Sequence, residues 1–142
     1  MSDTFDYIDA PFDDAPEEQL PPEGMYPLFI RDIEKGVTKD SNRRKVTCYI
    51  DIEATDANGR PYQGVFHVLT FPSEDDWTED SRKAKQMLLF IKRFCALFEI
   101  KLGGQTKFDP EALRGARGQG HVIQREYEGN VSPSLRLARL KE

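Results

Sequence analysis

Residues 45–54, KVTCYIDIEA, decide how the rest of the chain is read. Val46, Cys48, Ile50 and Ile52 occupy alternate positions, with Thr47, Tyr49, Asp51 and Glu53 between them, the period of two of a half-buried β-strand. With the Val46 face in the core, Tyr49 stands exposed in mid-sheet. Downstream, Asn58-Gly59 is a turn signal, and QGVFHVLTF at 63–71 follows as a third strand rich in β-branched and aromatic residues. Its parity stays open, because either Phe66, Val68 and Thr70 or Val65, His67 and Leu69 can face outward.

Upstream, MYPLFIRDI at 25–33 alternates Tyr26, Leu28 and Ile30 with Met25, Pro27, Phe29 and Arg31. It reads as a first strand in which Pro27 argues for an edge or strand-start position. Between the two, residues 34–45 lose the apolar period and hold Gly36 and Asp40-Ser41-Asn42, which predicts a hairpin tip or a long connecting loop. Three strands joined by local turns make an antiparallel meander.

After Phe71, SEDDWTEDS gathers acids and hydroxyls ahead of a helical period. Thr78 or Ser81 is the expected cap, Trp77 an expected staple onto the helix, and Ala84, Leu88, Ile91, Cys95 and Phe98 recur until Gly103-Gly104. This predicts one helix of roughly twenty residues packed on the sheet. Asp109-Pro110-Glu111 predicts a single helical turn, and GHVIQREYEG and SLRLARL read as two more strands flanking a turn at Gly129-Asn130. The order β-β-β-α-β-β, mainly β with one long helix, is that of the OB-fold, a five-stranded Greek-key barrel that binds oligonucleotides on its second and third strands.

A chain of 142 residues is enough for one domain. The net charge of −5 divides unevenly. Residues 1–24 carry eight carboxylates and no Lys or Arg, while the remainder holds all 20 basic residues against 17 of the 25 acidic ones, a balance of +3. Residues 1–23 are therefore expected to be a disordered acidic arm and 24–142 the folded domain, since a Pro- and acid-rich segment buries too little to offset its ordering entropy. Phe5, Tyr7, Ile8 and Phe12, interleaved with acids, have the composition of a short linear docking motif, or of a plain solubilising tail.

No apolar run approaches the ~20 residues of a membrane span, and the acidic start is unlike a signal peptide, so the cytoplasm, or a nucleoid within it, is the expected location. Cys48 and Cys95 each sit alone in apolar stretches and are read as reduced. His67 and His121 show no metal-ligand spacing, and neither metal nor cofactor is expected. Asp51 with Glu53 is the candidate acid–base or magnesium pair, but no Lys, P-loop or nucleophile motif completes it, so no catalysis is expected.

The residues Glu23-Gly24-Met25-Tyr26, the basic loop from Lys39 to Lys45, the strand KVTCYIDIEATD with its Asn58-Gly59 turn, the helix SRKAKQMLLFIKRFCALF and the late LRGARGQGHVIQREYEG resemble a family of small phage and prophage proteins encoded beside replication and recombination genes. The resemblance spans about residues 23–140. It implies an OB-like fold and a single-stranded DNA-binding or accessory role.

Lys35, Lys39, Arg43, Arg44 and Lys45 put five cations into eleven residues against Asp40 alone, as gripping phosphates requires. Solvated loop charge is the plain alternative. Thr47 and Tyr49 on the adjoining strand, Phe66 or His67 on the next, and Arg125 with Tyr127 on the fourth complete the candidate contacts with single-stranded DNA, or with RNA. Ordinary cross-strand packing explains the last pair equally well. The competing expectation is a protein-interaction module, or a virion or recombination accessory protein that contacts replication or recombination proteins through its arm and no nucleic acid directly, for which a body charge of +3 is more natural than for a nucleic-acid binder. A homodimer through a sheet edge is a further option.

Overall fold

A computed structural model of the chain describes residues 7–15, 17–40, 42–102 and 107–137. The strand from which the reading began is β2, Arg44–Ile52, with Val46, Cys48, Ile50 and Ile52 all buried. It pairs antiparallel with β3, Val65–Thr70, beyond a turn in which Gly59 adopts a left-handed φ of 77°. It pairs on its other side with β1, Gly24–Val37. β1 runs beyond the alternating stretch because it continues through a register shift at Arg31, which restores Ile33 to the core face after Ile30. The expected loop shrinks to a hairpin over residues 38–43.

β1 is also partner to β4, Arg117–Tyr127, which pairs in turn with β5, Asn130–Arg136. Glu128 and Gly129, both at positive φ, form the two-residue connection. The sheet order is β3-β2-β1-β4-β5, antiparallel throughout. β1 is therefore the central strand, and Pro27 lies beside β4, ahead of the β2 ladder that starts at Leu28. The edge strands β3 and β5 bring Cα atoms within 8 Å of each other, but among the described residues no ladder joins them. The expected closed barrel is thus an open, curled five-stranded sheet.

The helical stretch is broken in two: α1 spans Glu74–Glu79 and α2 spans Ser81–Leu97. Ser73 caps α1 in a reciprocal box with Asp76, and Asp80 accepts from the Lys83 amide to start α2. Neither expected cap, Thr78 nor Ser81, holds those positions. The local acids compete for the role, and Asp80 interrupts the helix. α2 presents Ala84, Ile91, Phe94 and Cys95 to the sheet. Phe94, with no exposed surface, is the largest fully buried side chain, and burial of this kind stabilises by roughly 1.5–3 kcal/mol. α2 lies close enough to β4 that a Cβ on Gly118 would meet the Leu97 carbonyl oxygen at 2.0 Å.

The folded body also begins earlier than residue 24. The Gln19 amide donates to the Pro61 carbonyl and its own carbonyl accepts from Gln63 at 2.8 Å. Pro21 is fully buried, and its carbonyl accepts from the Gln124 side chain. The low-complexity composition disguised these backbone contacts, so the arm ends before Gln19. Tyr7, Ile8 and Phe12 remain exposed.

Candidate nucleic-acid interface

Strand parity gives the sheet a face directed away from α2. Asp32 and Glu34 of β1, Thr47, Tyr49 and Asp51 of β2, and Phe66 and Val68 of β3 share it through the paired registers. Tyr49 and Phe66 pack edge to face, centroids 4.7 Å apart and planes at 84°. Phe66 is 64% exposed. The Tyr49 hydroxyl donates to Glu34 Oε2 at 2.7 Å, and that bond to a carboxylate is the main reason its own ionisation is pushed up. Arg31 lies 5.9 Å over the Tyr49 ring and bonds Asp51 at 3.1 Å. Arg117 lies 4.5 Å over Phe29 and pairs with Glu53.

The result is a face that carries the Tyr49–Phe66 pair with Arg31 over Tyr49 and, further along β1, Phe29 under Arg117. Phe29, Arg31 and Arg117 escape a reading of the sequence because the register shift at Arg31 and the pairing of β1 with β4 join them. Alternation through Phe29 hinted at the first, and nothing local at Arg117. The candidate carboxylate pair, Asp51 and Glu53, is held by these two arginines, one carboxylate each.

The basic segment goes elsewhere. Arg43 makes a two-pronged contact with Asp76 of α1, at 2.8 and 2.6 Å, with side-chain exposures of 22% and 10%. The guanidinium bond is the first cause holding the Asp76 carboxyl well below the usual carboxylate range, and the Ser73 amide adds to it. Arg43 is thus a tie between the β1–β2 connection and α1, not an open phosphate contact. Arg44 pairs with Val37 on the helix side of the sheet, and with Lys35 it lines a cavity between the sheet and α2. Lys35 is bonded to Glu111 at 3.0 Å. Lys39 is exposed at the hairpin tip. Lys45 alternates onto Tyr49's face, its stem lying across Gly36. The expected single channel, cations from the loop with Tyr49 alongside, is therefore not assembled. Extending β1 to Val37 and starting β2 at Arg44 turned strand positions inward that a loose loop would have left free.

The remaining candidates divide. Thr47 is on the right face but only 8% exposed, too covered to touch a ligand freely. His67 faces inward, stacked on Phe94 at 4.5 Å with planes 3° apart. Burial first, and Arg125 second, push its pKa down to about 4. The open parity of β3 is thereby resolved, Phe66 outward and His67 inward. Arg125 lies near enough to bear on His67, and Tyr127 is 76% exposed toward the β4–β5 turn. Among the described residues neither touches Tyr49 or Phe66 through a hydrogen bond, ion pair or ring contact. Trp77, at 41% exposure, is not sealed against the helix.

Both cysteines are free and buried, and burial pushes Cys48 up to about 12 and Cys95 to about 11. No group of His, Cys, Asp or Glu among the described residues is arranged to hold a metal ion. No helix among them is long and apolar enough to cross a membrane. No family model matches the chain, and no curated protein matches its sequence.

Proposed function

We propose that the chain binds single-stranded nucleic acid, DNA in the first instance, on the outer face of β1–β3, in replication or recombination, with bases stacking on Phe66 and Tyr49. The observation that carries this reading is the edge-to-face pair of exposed Phe66 on the edge strand and half-buried Tyr49 beside it, on the same face as Phe29 and two arginines. It is supported by the five-stranded antiparallel sheet with its helix between β3 and β4, which we read as an OB-like sheet whose β3 and β5 edges approach without pairing. The phosphate contacts are reassigned from the basic loop to Arg31, Arg117 and Lys45. The two arginines are already paired with carboxylates, but exposed ion pairs contribute only ~0–1 kcal/mol, so exchanging carboxylate for phosphate costs little.

A labelled oligo-dT anisotropy titration tests it. Tyr49→Ala and Phe66→Ala should each weaken binding by ~1–3 kcal/mol, roughly five- to 150-fold, with the parent's circular dichroism kept and stability lower by about 1 kcal/mol from loss of the edge-to-face pair. With about three phosphates contacted, log K should fall against log salt with a slope of about −2. No binding at low salt up to tens of micromolar sinks the reading; oligo-U in parallel reports on RNA.

A second reading, a protein-interaction module, is favoured by the four carboxylates Asp32, Glu34, Asp51 and Glu53 around the same aromatics. It predicts that the alanine variants lose a protein partner and leave the oligonucleotide titration flat.

A further inference from the structure

On the opposite side of the sheet, the ends of β1 and β2, the middle of α2 and residues 107–110 enclose a cavity of about 940 Å³. Phe71 and Phe108, centroids 5.4 Å apart, form its apolar floor with Leu88. Arg44, Lys92 and Lys107 stand on its rim, and none of them has an ion-pair partner among the described residues. Of the carboxylates near it, Glu111 is taken by Lys35 and Arg114, and Asp109, between the lining Phe108 and Pro110, accepts from the Glu111 amide. An apolar floor under uncompensated cations fits a ligand with an apolar body between negative charges.

The chain carries such a ligand. Tyr7, Ile8 and Phe12 are 95%, 67% and 75% exposed, with Asp9, Asp13 and Asp14 between and after them. Pro11 opens a single 3-10 turn, Phe12–Asp14, that sets one aromatic ring directly beside two carboxylates. We propose that this arm, residues 7–14, docks into the cationic cavity of a second copy of the chain, so that copies associate head to tail.

For Phe12, the ring set beside two carboxylates, the geometry favours a second copy over the same one. The arm is stitched to the body at Gln19 beside Tyr62, at the end of the sheet where β2 finishes and β3 begins. The cavity is at the other end, with Arg44 opening β2 and Phe71 just beyond β3. β2, nine residues long, lies between the two ends and spans about 26 Å. Phe12 is seven positions from Gln19, a fully extended reach of at most ~25 Å, and the 3-10 turn shortens it. A ring in its own cavity would have to unwind that turn and pull Gln19 from Pro61 and Gln63.

The association does not depend on what the outer face binds, and its test needs no nucleic acid. Sedimentation velocity of the full chain at low salt should show concentration-dependent species extending beyond a dimer, lost at high salt. A rim variant (Lys92→Glu with Lys107→Glu) and an arm variant (Phe12→Ser with Asp13→Lys and Asp14→Lys) should each be monomeric. All five positions are exposed, so both variants should fold as the parent does by circular dichroism. Mixed together they should form a heterodimer and nothing larger, because one intact arm meets one intact cavity. A labelled peptide of residues 4–15 should bind the rim variant at least tenfold more weakly than the parent.

A parent chain that stays monomeric at low salt, or association that survives both variants, overturns the proposal. So does a rim variant that loses oligo-dT affinity while self-association persists, which would make the cavity a phosphate site. Loss of oligo-dT binding on Phe66→Ala with association intact bears on the outer face alone.

Discussion

His67 shows how one inward side chain ties stability to acidity. Its ring lies flat on Phe94, and burial with Arg125 pushes its pKa down to about 4 from an ordinary 6.5. The unfolded chain therefore binds a proton between those values that the native chain does not, and native stability falls as pH drops from about 6.5 to about 4. The full shift corresponds to roughly 3 kcal/mol, and partial exposure of the ring brings this to on the order of 2. Urea denaturation at intervals across that range should show the loss, and His67→Phe should flatten the curve there. Below about pH 4 a separate decline should remain in both proteins, because protonation of Asp76, held low by Arg43, then breaks their contact. The orientation of His67 was hidden in the sequence because VFHVLT is apolar on both faces, whereas Tyr49 was legible from a strand that alternates cleanly.

Among elements, the tie between the β1–β2 hairpin and α1 carries the sharpest expectation. Arg43 and Asp76 are mostly covered and doubly bonded, and Asp76 also completes the Ser73 cap. Arg43→Ala leaves that carboxylate half-satisfied, and the expected cost is about 2–3 kcal/mol, somewhat below that of breaking a fully buried pair. Thermal denaturation should register it, while oligo-dT affinity should stay within about twofold of the parent, against the large loss a phosphate contact would give. From sequence alone the two charge clusters read separately, one as a phosphate grip and the other as helix-start acids. Period and turn chemistry report on neighbours, and these residues are 33 positions apart. The strands were legible for the converse reason: each alternates within itself, and three of the four ladders join strands consecutive along the chain.

For the molecule as a whole, the junction of helix and sheet decides whether the two layers close. Gly118 permits it, since an added Cβ would strike the Leu97 carbonyl oxygen at 2.0 Å and its carbon at 2.8 Å. Backbone cannot yield as a flexible side chain does, so Gly118→Ala should destabilise by ~3 kcal/mol or more. Gly24→Ala, with nothing within 4 Å, is the matched control and should unfold within about 0.5 kcal/mol of the parent. In the sequence Gly118 stands only within LRGARGQGHVIQREYEG, ahead of the strand read from Gly120. Its role depends on the crossing that sets β4 beside β1, made after a connection that no local signal directs.

The gap between β3 and β5 gives the molecule a grain. Among the described residues the two edges come within 8 Å of each other without a ladder, while every other pair of neighbouring strands is laddered. Thermal breathing should concentrate along that slit, with the sheet flexing about β1 as a book flexes about its spine. Amides facing the slit should trade hydrogen for deuterium well before those of β1, and an extended segment from another molecule would find there the least guarded place to enter.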